Sequence, residues 1–336
     1  MSIFKVGLLG CGRISQFHLN ALKDQVDLYE IAAVADIQPE RAAQMAAQFG
    51  AKFYSSLDAM LQSEKLNLVV LCTPSGMHPA QAKVCAEAGV PCLSEKPFGC
   101  FYPEAQDVVE FFEKQKVPLF VVHQNRYNPT VQKVRKWFEE GKLGKLHLIQ
   151  ANVFWQRPQS YYDAESWRGR RELDGGAFMN QASHYVDLVQ WFGGEIESVK
   201  SEVAAPTRKI QCEDTGAAVI RFKSNAIGVI AVTMLTYPEN LEGSLTLLAE
   251  HATIKIGGKA LNKLEICKAK DPSVFADGEN TNYEPTTVYG NGHGEYYRKL
   301  HDYMTDPHHP EAINGREGLK SLKLLTEIYR EQDLII

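Results

Sequence analysis

A glycine-rich turn near the start of the chain has the residue types needed to hold a phosphate group. Gly10-Cys11-Gly12-Arg13-Ile14-Ser15 follows an apolar run, and helical spacing begins directly after it. The first glycine permits a tight turn, and the second lets the backbone approach a pyrophosphate at a helix N-terminus. Ser15 replaces the usual glycine or alanine and is still small enough for close packing. The residues expected to contact a dinucleotide are Gly10, Gly12, Arg13 and Ile14.

An acidic residue, Asp36, ends the second strand-like run at residues 30–36. At this place in a strand–helix–strand unit, a carboxylate would bind both ribose hydroxyls of NAD and repel the 2′-phosphate of NADP. The alternative is that Asp36 caps the helix expected over residues 39–49. Because the turn, the helix and the acidic residue occur together, the sequence favours NAD as the cofactor.

Three further strand ends place polar residues at the edge where ligands of parallel sheets bind. They carry Thr73-Pro74 with His78, then Glu95-Lys96-Pro97, then His123-Gln124-Asn125-Arg126. A lysine directly after a buried strand needs a partner or a function, although it could also be a surface residue that begins a loop. His78 is either a neighbour of a helix N-cap or a cofactor contact.

A second polar cluster follows Gly175-Gly176. If one helix starts after these glycines, Asn180, His184 and Asp187 share a face. A lone histidine on such a helix is more often structural, but here it stands with an amide and a carboxylate. Asp187 could orient the imidazole, and His184 could exchange a proton with a substrate hydroxyl.

The elements that must position these residues change character along the chain. Strand-like and helix-like segments alternate over residues 1–123, which predicts an α/β Rossmann domain with a doubly wound parallel sheet. Over residues 124–336, longer segments of alternating polarity predict an α+β domain with a large, mainly antiparallel, open-faced sheet. A periodic helix is expected over residues 316–331.

Composition limits the class of protein. The chain has 336 residues, a formal net charge of −5 and ordinary globular proportions of 44% hydrophobic and 23% charged residues, so nucleic acid is not an expected partner. It contains no apolar run of the roughly twenty residues that a membrane span needs, and no secretory signal is expected. Seven cysteines without a Cys-x-x-Cys pair indicate reduced thiols, no metal site and a cytoplasmic protein.

The glycine turn, Asp36, Thr73-Pro74 with His78, and Glu95-Lys96-Pro97 resemble the glucose–fructose oxidoreductase / inositol dehydrogenase (Gfo/Idh/MocA) family along essentially the whole chain. The resemblance implies that Lys96 lies beside the nicotinamide and the reacting hydroxyl. It also implies a homotetramer formed through the open sheet of the second domain, which would bind substrate. The further residues expected to contact the cofactor are Asp36, Thr73, Pro74, His78, Glu95, Lys96 and Gln124.

One departure from the family pattern points to the substrate. The family has an aspartate where this chain has Asn180, so the expected site loses a carboxylate and suits a substrate that brings its own negative charge. Segments 123–129, 167–169, 175–181 and 237–244 resemble a subgroup of 3-dehydrogenases that act on UDP-N-acetylglucosaminuronic acid (UDP-GlcNAcA) in lipopolysaccharide and other surface polysaccharide pathways. The residues expected to bind substrate are Lys96, Arg126, Arg157, Asn180, Gln181 and His184.

The expected reaction is NAD-dependent oxidation of the C3 hydroxyl of this nucleotide sugar to a 3-keto sugar. His184 is the first choice for the base, and Lys96 is expected to stabilise the developing alkoxide. Three alternatives are an inositol or simple sugar dehydrogenase, an NAD-dependent glycosidase and a non-catalytic NAD-binding sensor.

Overall fold

The computed structural model describes residues 3–275, 280–285, 290–306 and 314–330. By its contacts the chain separates into two units, Met1–Val122 with His293–Leu319 and His123–Gly292 with Lys320–Ile336. The division expected after residue 123 places His293–Leu319 in the second domain, whereas these residues group with the first unit. An amphipathic pattern shows that a helix buries one face, but it does not show which element covers that face.

The first unit contains one six-stranded parallel sheet. Its strands are β1 (Phe4–Leu9), β2 (Tyr29–Ala35), β3 (Lys52–Tyr54), β4 (Leu68–Leu71), β5 (Cys92–Ser94) and β6 (Leu119–Val121). Its helices include α1 (Ser15–Lys23), α2 (Pro39–Phe49), α3 (Leu57–Ser63), α4 (His78–Glu87) and α5 (Tyr102–Gln115). The strand order is β3-β2-β1-β4-β5-β6, and every neighbouring pair runs parallel. The order reverses between β1 and β4, which confirms the predicted doubly wound sheet.

The second unit contains a seven-stranded sheet. Its strands are β7 (Leu146–Phe154), β8 (Ile196–Ala204), β9 (Thr215–Phe222), β10 (Ile227–Thr233), β11 (Glu242–Ala249), β12 (Ala252–Gly257) and β13 (Lys263–Ala269). Its helices include α6 (Pro129–Glu139), α7 (Gln159–Asp163) and α8 (Ser183–Gly193). The order is β13-β12-β11-β7-β10-β9-β8; β7 and β10 pair in parallel, and the other neighbours are antiparallel. The predicted mainly antiparallel sheet is confirmed.

This second sheet has one covered face and one open face. Helix α8 packs against β7 and β10, and almost all of its residues are buried. Along β9, Ala218, Ile220 and Phe222 are buried, whereas Val219 is 50% exposed. The alternation of polar and apolar residues predicted a sheet with one covered face, and the alternation of buried and exposed side chains along β9 confirms it.

Two helices complete the described chain: α9 (Gly292–Thr305) and α10 (Gly315–Tyr329). Tyr296 of α9 donates to the carbonyl of Val121 at 3.2 Å, and Tyr29 donates to the carbonyl of Tyr297 at 2.8 Å. These bonds fasten α9 within the first unit. The helix expected over residues 316–331 corresponds to α10; residue 331 lies outside the described residues. None of the described helices has the length and apolar character to cross a membrane.

Candidate functional site

The glycine turn after β1 has the geometry that a dinucleotide needs. Gly10 has a φ of +94°, and a Cβ at this position would lie 2.8 Å from the carbonyl carbon and oxygen of Cys72. A Cβ on Gly12 would meet no atom within 4 Å. Ile14 is the N-cap residue of α1, directly after Arg13, and no side chain caps that helix. The turn therefore presents open space and backbone N–H groups at a positive helix end.

Asp36 lies directly beside this turn. Its Oδ2 accepts a hydrogen bond from the Cys11 N–H at 2.7 Å, and its Oδ1 accepts one from the Gln38 N–H at 2.8 Å. The alternative role as the cap of α2 does not describe this geometry, because Gln38 is the N-cap residue. The carboxylate and the turn fit an NAD molecule whose ribose lies at the end of β2.

The loop that carries Lys96 is held in place by the buried carboxylate of Glu95. Oε2 of Glu95 accepts from the Lys96 N–H at 3.0 Å, and Oε1 lies 2.8 Å from Nε2 of His18. His18 in turn places Nδ1 2.7 Å from the Tyr297 hydroxyl. Burial raises the pKa of Glu95, but its hydrogen bond with His18 and the charges of His18 and Lys96 outweigh burial and set the pKa at about 2. Glu95 is therefore an ionised side chain beside the backbone of Lys96.

A second histidine, His293, lies next to this pair. Its ring centroid is 5.0 Å from that of His18, and burial together with the charge of His18 lowers its pKa to about 3. Ligand atoms of His18, Glu95 and His293 lie within 4.8 Å of one another, a spacing that metal ligands also show. Both ring nitrogens of His18 already have protein partners, so we assign the cluster to holding the Lys96 loop.

His78 joins two loops at the sheet edge. Its Nδ1 lies 2.9 Å from the Pro97 carbonyl oxygen, and its Nε2 lies 2.8 Å from the Thr73 carbonyl oxygen. The Thr73 hydroxyl donates to Oε1 of Gln81 at 2.5 Å. Pro74 begins a short 3-10 turn, Ser75–Met77, that leads into α4. Both ring nitrogens of His78 thus contact backbone carbonyls of the protein.

In the second unit, Gln124 and His184 are direct partners. The Gln124 amide nitrogen lies 3.0 Å from Nε2 of His184, and both side chains are buried. The Gln124 side-chain amide therefore holds the His184 ring in place.

Arg126 and Asp187 form a buried ion pair. Nε and an Nη nitrogen of Arg126 donate to the two carboxylate oxygens of Asp187 at 2.8 and 2.7 Å, and the guanidinium lies 4.8 Å from the Trp191 ring centroid. Nδ1 of His123 is 3.4 Å from the same carboxylate. The sequence suggested that Arg126 meets a substrate anion, and that role stays a prediction. In the structure two of its nitrogens bind Asp187, so Arg126 also supports this carboxylate.

Asn180 and His184 do not lie on one continuous α-helix. Residues Ala177–Gln181 form a π-helical turn, closed by the bond from the Ala182 N–H to the Ala177 carbonyl at 2.9 Å, and α8 starts only at Ser183. The shared face expected for Asn180, His184 and Asp187 is therefore interrupted. A π turn adds a residue to the helical repeat and is frequent at functional sites.

Sequence reasoning missed the partner of Asn180. The Asn180 amide donates to Oδ1 of Asp174, a buried residue whose Oδ2 accepts from the Gly169 N–H at 2.6 Å. The departure from the family pattern therefore leaves a carboxylate in contact with Asn180. The only signal in the sequence was the position of Asp174 directly before the two glycines.

Glu213 was also missed, and it supports the same turn. Its Oε1 accepts from the Phe178 N–H at 2.8 Å and from the Tyr329 hydroxyl at 2.7 Å. Burial raises the pKa of Glu213 to about 7, against the hydrogen bonds from Tyr329 and Phe178, which lower it. Gly176 has a φ of +96°, and a Cβ there would lie 2.1 Å from Oε2 of Glu213. This position therefore requires glycine.

Arg157 and Gln181 belong to a polar and aromatic cluster. Arg157 donates to Oε1 of Gln181 at 2.9 Å, and the Gln181 amide donates to the Tyr161 hydroxyl at 3.0 Å. The guanidinium of Arg168 lies 4.2 Å from the Tyr161 ring centroid, and that of Arg157 lies 5.4 Å from it. Two cations thus border one aromatic ring, an arrangement that suits a planar or anionic ligand.

A cavity of about 600 Å³ opens in the same unit. Its lining includes Trp155, Gln156 and residues 239–244 of the segment that carried the subgroup resemblance. Asn240 also accepts a bond from Arg157 at 3.3 Å. The segment therefore connects the cavity with the arginine cluster.

Comparison with known proteins agrees with this geometry. Residues 4–123 match the model of an oxidoreductase family with an NAD-binding Rossmann fold, and residues 131–255 match the GFO/IDH/MocA C-terminal domain. The WlbA dehydrogenase of Bordetella pertussis, solved with NADH and UDP-GlcNAcA, is 44% identical, with a TM-score of 0.90 over 98% of this chain and 96% of its own.

Two further relatives agree. WlbA of Chromobacterium violaceum, solved with the same two ligands, is 41% identical, with a TM-score of 0.89 over 97% of this chain and 93% of its own. The rhizopine catabolism protein MocA of Rhizobium meliloti is 33% identical over 58% of this chain, and the match spans 59% of that relative's length. The chain belongs to the GFO/IDH/MocA family of oxidoreductases, and its first domain is an NAD-binding Rossmann domain.

Proposed function

We propose that this protein is an NAD-dependent dehydrogenase that oxidises the C3 hydroxyl of UDP-GlcNAcA to the 3-keto sugar. The observation that carries the proposal is the 44% identity, over 98% of the chain, to a dehydrogenase solved with NADH and UDP-GlcNAcA. The buried, ionised Glu95 beside Lys96, and the His184 imidazole held by Gln124, support the chemistry that such a reaction needs.

The glycine turn and Asp36 would hold the cofactor. Gly10 and Gly12 let the backbone approach the pyrophosphate, the N-terminus of α1 attracts it, and Asp36 accepts from the ribose hydroxyls. When bound, NAD accepts a hydride from the carbon that carries the substrate hydroxyl.

Two side chains would handle the hydroxyl and its proton. The Lys96 ammonium polarises the hydroxyl oxygen and stabilises negative charge as it develops there. The imidazole of His184 accepts the proton, and Gln124 holds the ring in place.

The cluster around Tyr161 would receive the nucleotide part of the substrate. Arg157 and Arg168 offer two cations to a diphosphate or a uronate, and the Tyr161 ring offers a face to a base or a sugar. The Asn180–Asp174 pair presents an amide supported by a carboxylate, which suits hydrogen bonding to sugar hydroxyls.

We also propose a homotetramer that uses the open face of the second sheet. This face carries the exposed apolar side chains Val219, Leu248 and Ile266, which are 50%, 39% and 38% exposed on three different strands. Exposed apolar groups on one face of a sheet favour burial by another protein surface. Sedimentation velocity should give four chains per particle, and a monomer at micromolar concentration would contradict the proposal.

The cell context is also part of the proposal. A cytoplasmic enzyme with this substrate would serve the synthesis of surface polysaccharide precursors, including lipopolysaccharide. The proposed activity can be tested first with the purified protein.

The test incubates the protein with NAD and UDP-GlcNAcA, with and without 2-oxoglutarate as an oxidant for NADH, and weighs the nucleotide sugar by mass spectrometry. The expected product is lighter by about two mass units, as loss of two hydrogens requires. UDP-N-acetylglucosamine, which lacks the carboxylate, is the matched substrate and should react at least about tenfold more slowly, since one charge-assisted contact contributes about 1.5–3 kcal/mol.

Other products would assign the alternative functions. Release of a free sugar without net NADH would assign a glycosidase, and oxidation of inositol in preference to the nucleotide sugar would assign a polyol dehydrogenase. NADH binding without turnover of any of these substrates would assign a sensor. Each of these results contradicts the proposed dehydrogenase.

A further inference from the structure

The imidazole of His78 bridges two backbone carbonyls and leaves neither ring nitrogen facing solvent. Nδ1 lies 2.9 Å from the Pro97 carbonyl oxygen and Nε2 lies 2.8 Å from the Thr73 carbonyl oxygen, while the residue is only 1% exposed. Pro97 belongs to the loop after β5, and Thr73 to the loop after β4. One side chain thus ties together two neighbouring loops at the carboxyl edge of the sheet.

Both partners of His78 can only accept hydrogen bonds. A neutral imidazole carries one N–H, so it satisfies one carbonyl and turns a lone pair toward the other. The imidazolium carries two N–H groups and satisfies both carbonyls at once. The neutral ring therefore satisfies one of the two carbonyls, and protonation lets it satisfy both.

The loop that His78 holds contains Lys96. Pro97 follows Lys96 directly, so the bond to its carbonyl fixes the backbone on the C-terminal side of the lysine. On the N-terminal side, the Glu95 carboxylate accepts from the Lys96 N–H at 3.0 Å and is itself bound to His18 at 2.8 Å. The lysine is thus flanked by two fixed points, each of which depends on a buried histidine.

We propose that His78 is a positioning residue for Lys96: by bridging the Pro97 and Thr73 carbonyls it holds the loop after β5 against the loop after β4, and so sets where the Lys96 amine lies. This inference rests on the proposed function, in which Lys96 acts on the substrate hydroxyl. His78 acts through Pro97 and touches neither the substrate nor the reacting atoms.

The surroundings of His78 lower its pKa below the ordinary value. Burial and the charge of Lys96 lower it, and together they outweigh the Pro97 and Thr73 carbonyls and the charge of Glu95, which raise it. Among the described residues, Glu95 and Lys96 are the charged groups that act on it. Because protonation supplies the second N–H, a fall in pH completes the bridge and a rise in pH releases one of the two carbonyls.

Two substitutions separate donation from space filling. His78→Gln keeps an amide that can donate two N–H bonds, whereas His78→Phe keeps a ring of similar size without a donor. With NAD and UDP-GlcNAcA, we expect kcat to fall about 10- to 100-fold in His78→Phe and much less in His78→Gln, with KM for the sugar little changed, since a small misplacement of a reacting group costs up to about 100-fold. His147→Gln, at an exposed histidine of β7, is the matched control and should behave as wild type.

A second readout does not depend on the sugar. Hydrogen exchange of the Lys96 amide in the NADH complex should be at least about tenfold faster in His78→Phe than in His78→Gln, while the Val70 amide in the core of β4 stays protected in both. Loss of protection at Val70 as well would show general unfolding and overturn a local role. Nitrogen-15 spectra of the wild-type histidines should show His78 with both ring nitrogens protonated toward low pH.

The two proposals fail in different ways. If wild type oxidises none of the sugars, the proposed substrate is wrong, and the exchange and nitrogen spectra still decide the role of His78. If Lys96 exchange and kcat in His78→Phe equal those of wild type, the inference about His78 is overturned even where the dehydrogenase activity is present. A single protonated ring nitrogen at every pH at which the fold persists would also overturn it.

Discussion

Two buried glutamates, one in each unit, are similarly buried but differ in the pKa of their carboxyl groups. Glu95 and Glu213 are 5% and 1% exposed, and each accepts a hydrogen bond from the backbone next to a candidate site residue. The pKa of Glu95 lies at about 2 and that of Glu213 at about 7. Near pH 7 the same side chain is therefore ionised in the first unit and about half protonated in the second.

The partners explain the difference. Glu95 bonds to His18 and feels the charge of Lys96, and these favourable charges outweigh the cost of burial. Glu213 has the Tyr329 hydroxyl and the Phe178 N–H as donors, and the charge of Asp174 opposes its ionisation. The first unit thus holds its lysine loop with a charge, whereas the second holds its glycine turn with a near-neutral hydrogen-bond acceptor.

The largest effect should come from Lys96 and His184, the two side chains proposed to handle the substrate hydroxyl. We expect Lys96→Met and His184→Asn each to lower kcat about 100- to 10,000-fold, the usual contribution of a positioned acid–base or electrostatic group. NADH affinity, measured by fluorescence, should stay within about threefold. Lys65→Met and His147→Asn, at exposed positions, are the matched controls. Wild-type turnover in either site variant would show that the substituted residue does not take part in the reaction.

A direct contrast between the glutamates should give the next largest effect. Glu95→Gln removes a buried charge from its partners and should lower the free energy of unfolding by about 3 kcal/mol. Glu213→Gln replaces a near-neutral carboxyl by an amide of the same shape and should cost about 1 kcal/mol or less at pH 6. Urea unfolding of both variants measures the difference, and equal costs would contradict the two charge states.

The pH dependence of stability should carry opposite signs for the two residues. Glu95, with its pKa lowered from 4.5 to about 2, contributes stability that is present above pH 4.5 and lost as pH falls toward 2. Glu213, with its pKa raised from 4.5 to about 7, contributes stability that is present below pH 4.5 and lost as pH rises toward 7. Glu213→Gln should therefore flatten the decline between pH 4.5 and 7, a slope of at most about 1.4 kcal/mol per pH unit for one proton. An unchanged slope would show that Glu213 is ionised throughout.

The smallest effect concerns substrate affinity in the second unit. Arg157→Gln should raise KM for UDP-GlcNAcA about 5- to 20-fold and leave KM for NAD unchanged, since one charge-assisted contact is lost. Arg330→Gln, at a surface arginine paired with Glu327 at 2.9 Å, is the control. A change in kcat without a change in KM would place Arg157 in the support of the turn that carries Gln181, away from the substrate.

Local sequence patterns predicted the strands and helices well, because these elements depend on residues that are close together in the sequence. The apolar runs and the helical spacing after Gly12 were sufficient to predict the parallel sheet, and the period of two along β9 predicted an open-faced sheet. The strand ends also placed Thr73, Glu95 and Lys96 at the carboxyl edge, because parallel strands all end on that side.

Contacts between distant residues were not predictable from these patterns. The π turn at Ala177–Gln181 depends on Glu213 and Tyr329, which stand far along the chain and have no spacing relation to it. The pairing of Arg126 with Asp187 likewise joins residues far apart in sequence. His18 lies on α1, and the helical spacing after Gly12 does not show that Glu95 contacts it.

The most direct test of the central claim follows one hydrogen atom. UDP-GlcNAcA carrying deuterium at C3 is incubated with the enzyme and NAD, and both products are weighed. We expect that the deuterium appears in the reduced cofactor and that the nucleotide sugar is recovered as the 3-keto form without it. Deuterium retained in a sugar that has nonetheless been oxidised, or reduced cofactor without deuterium, would contradict oxidation at C3.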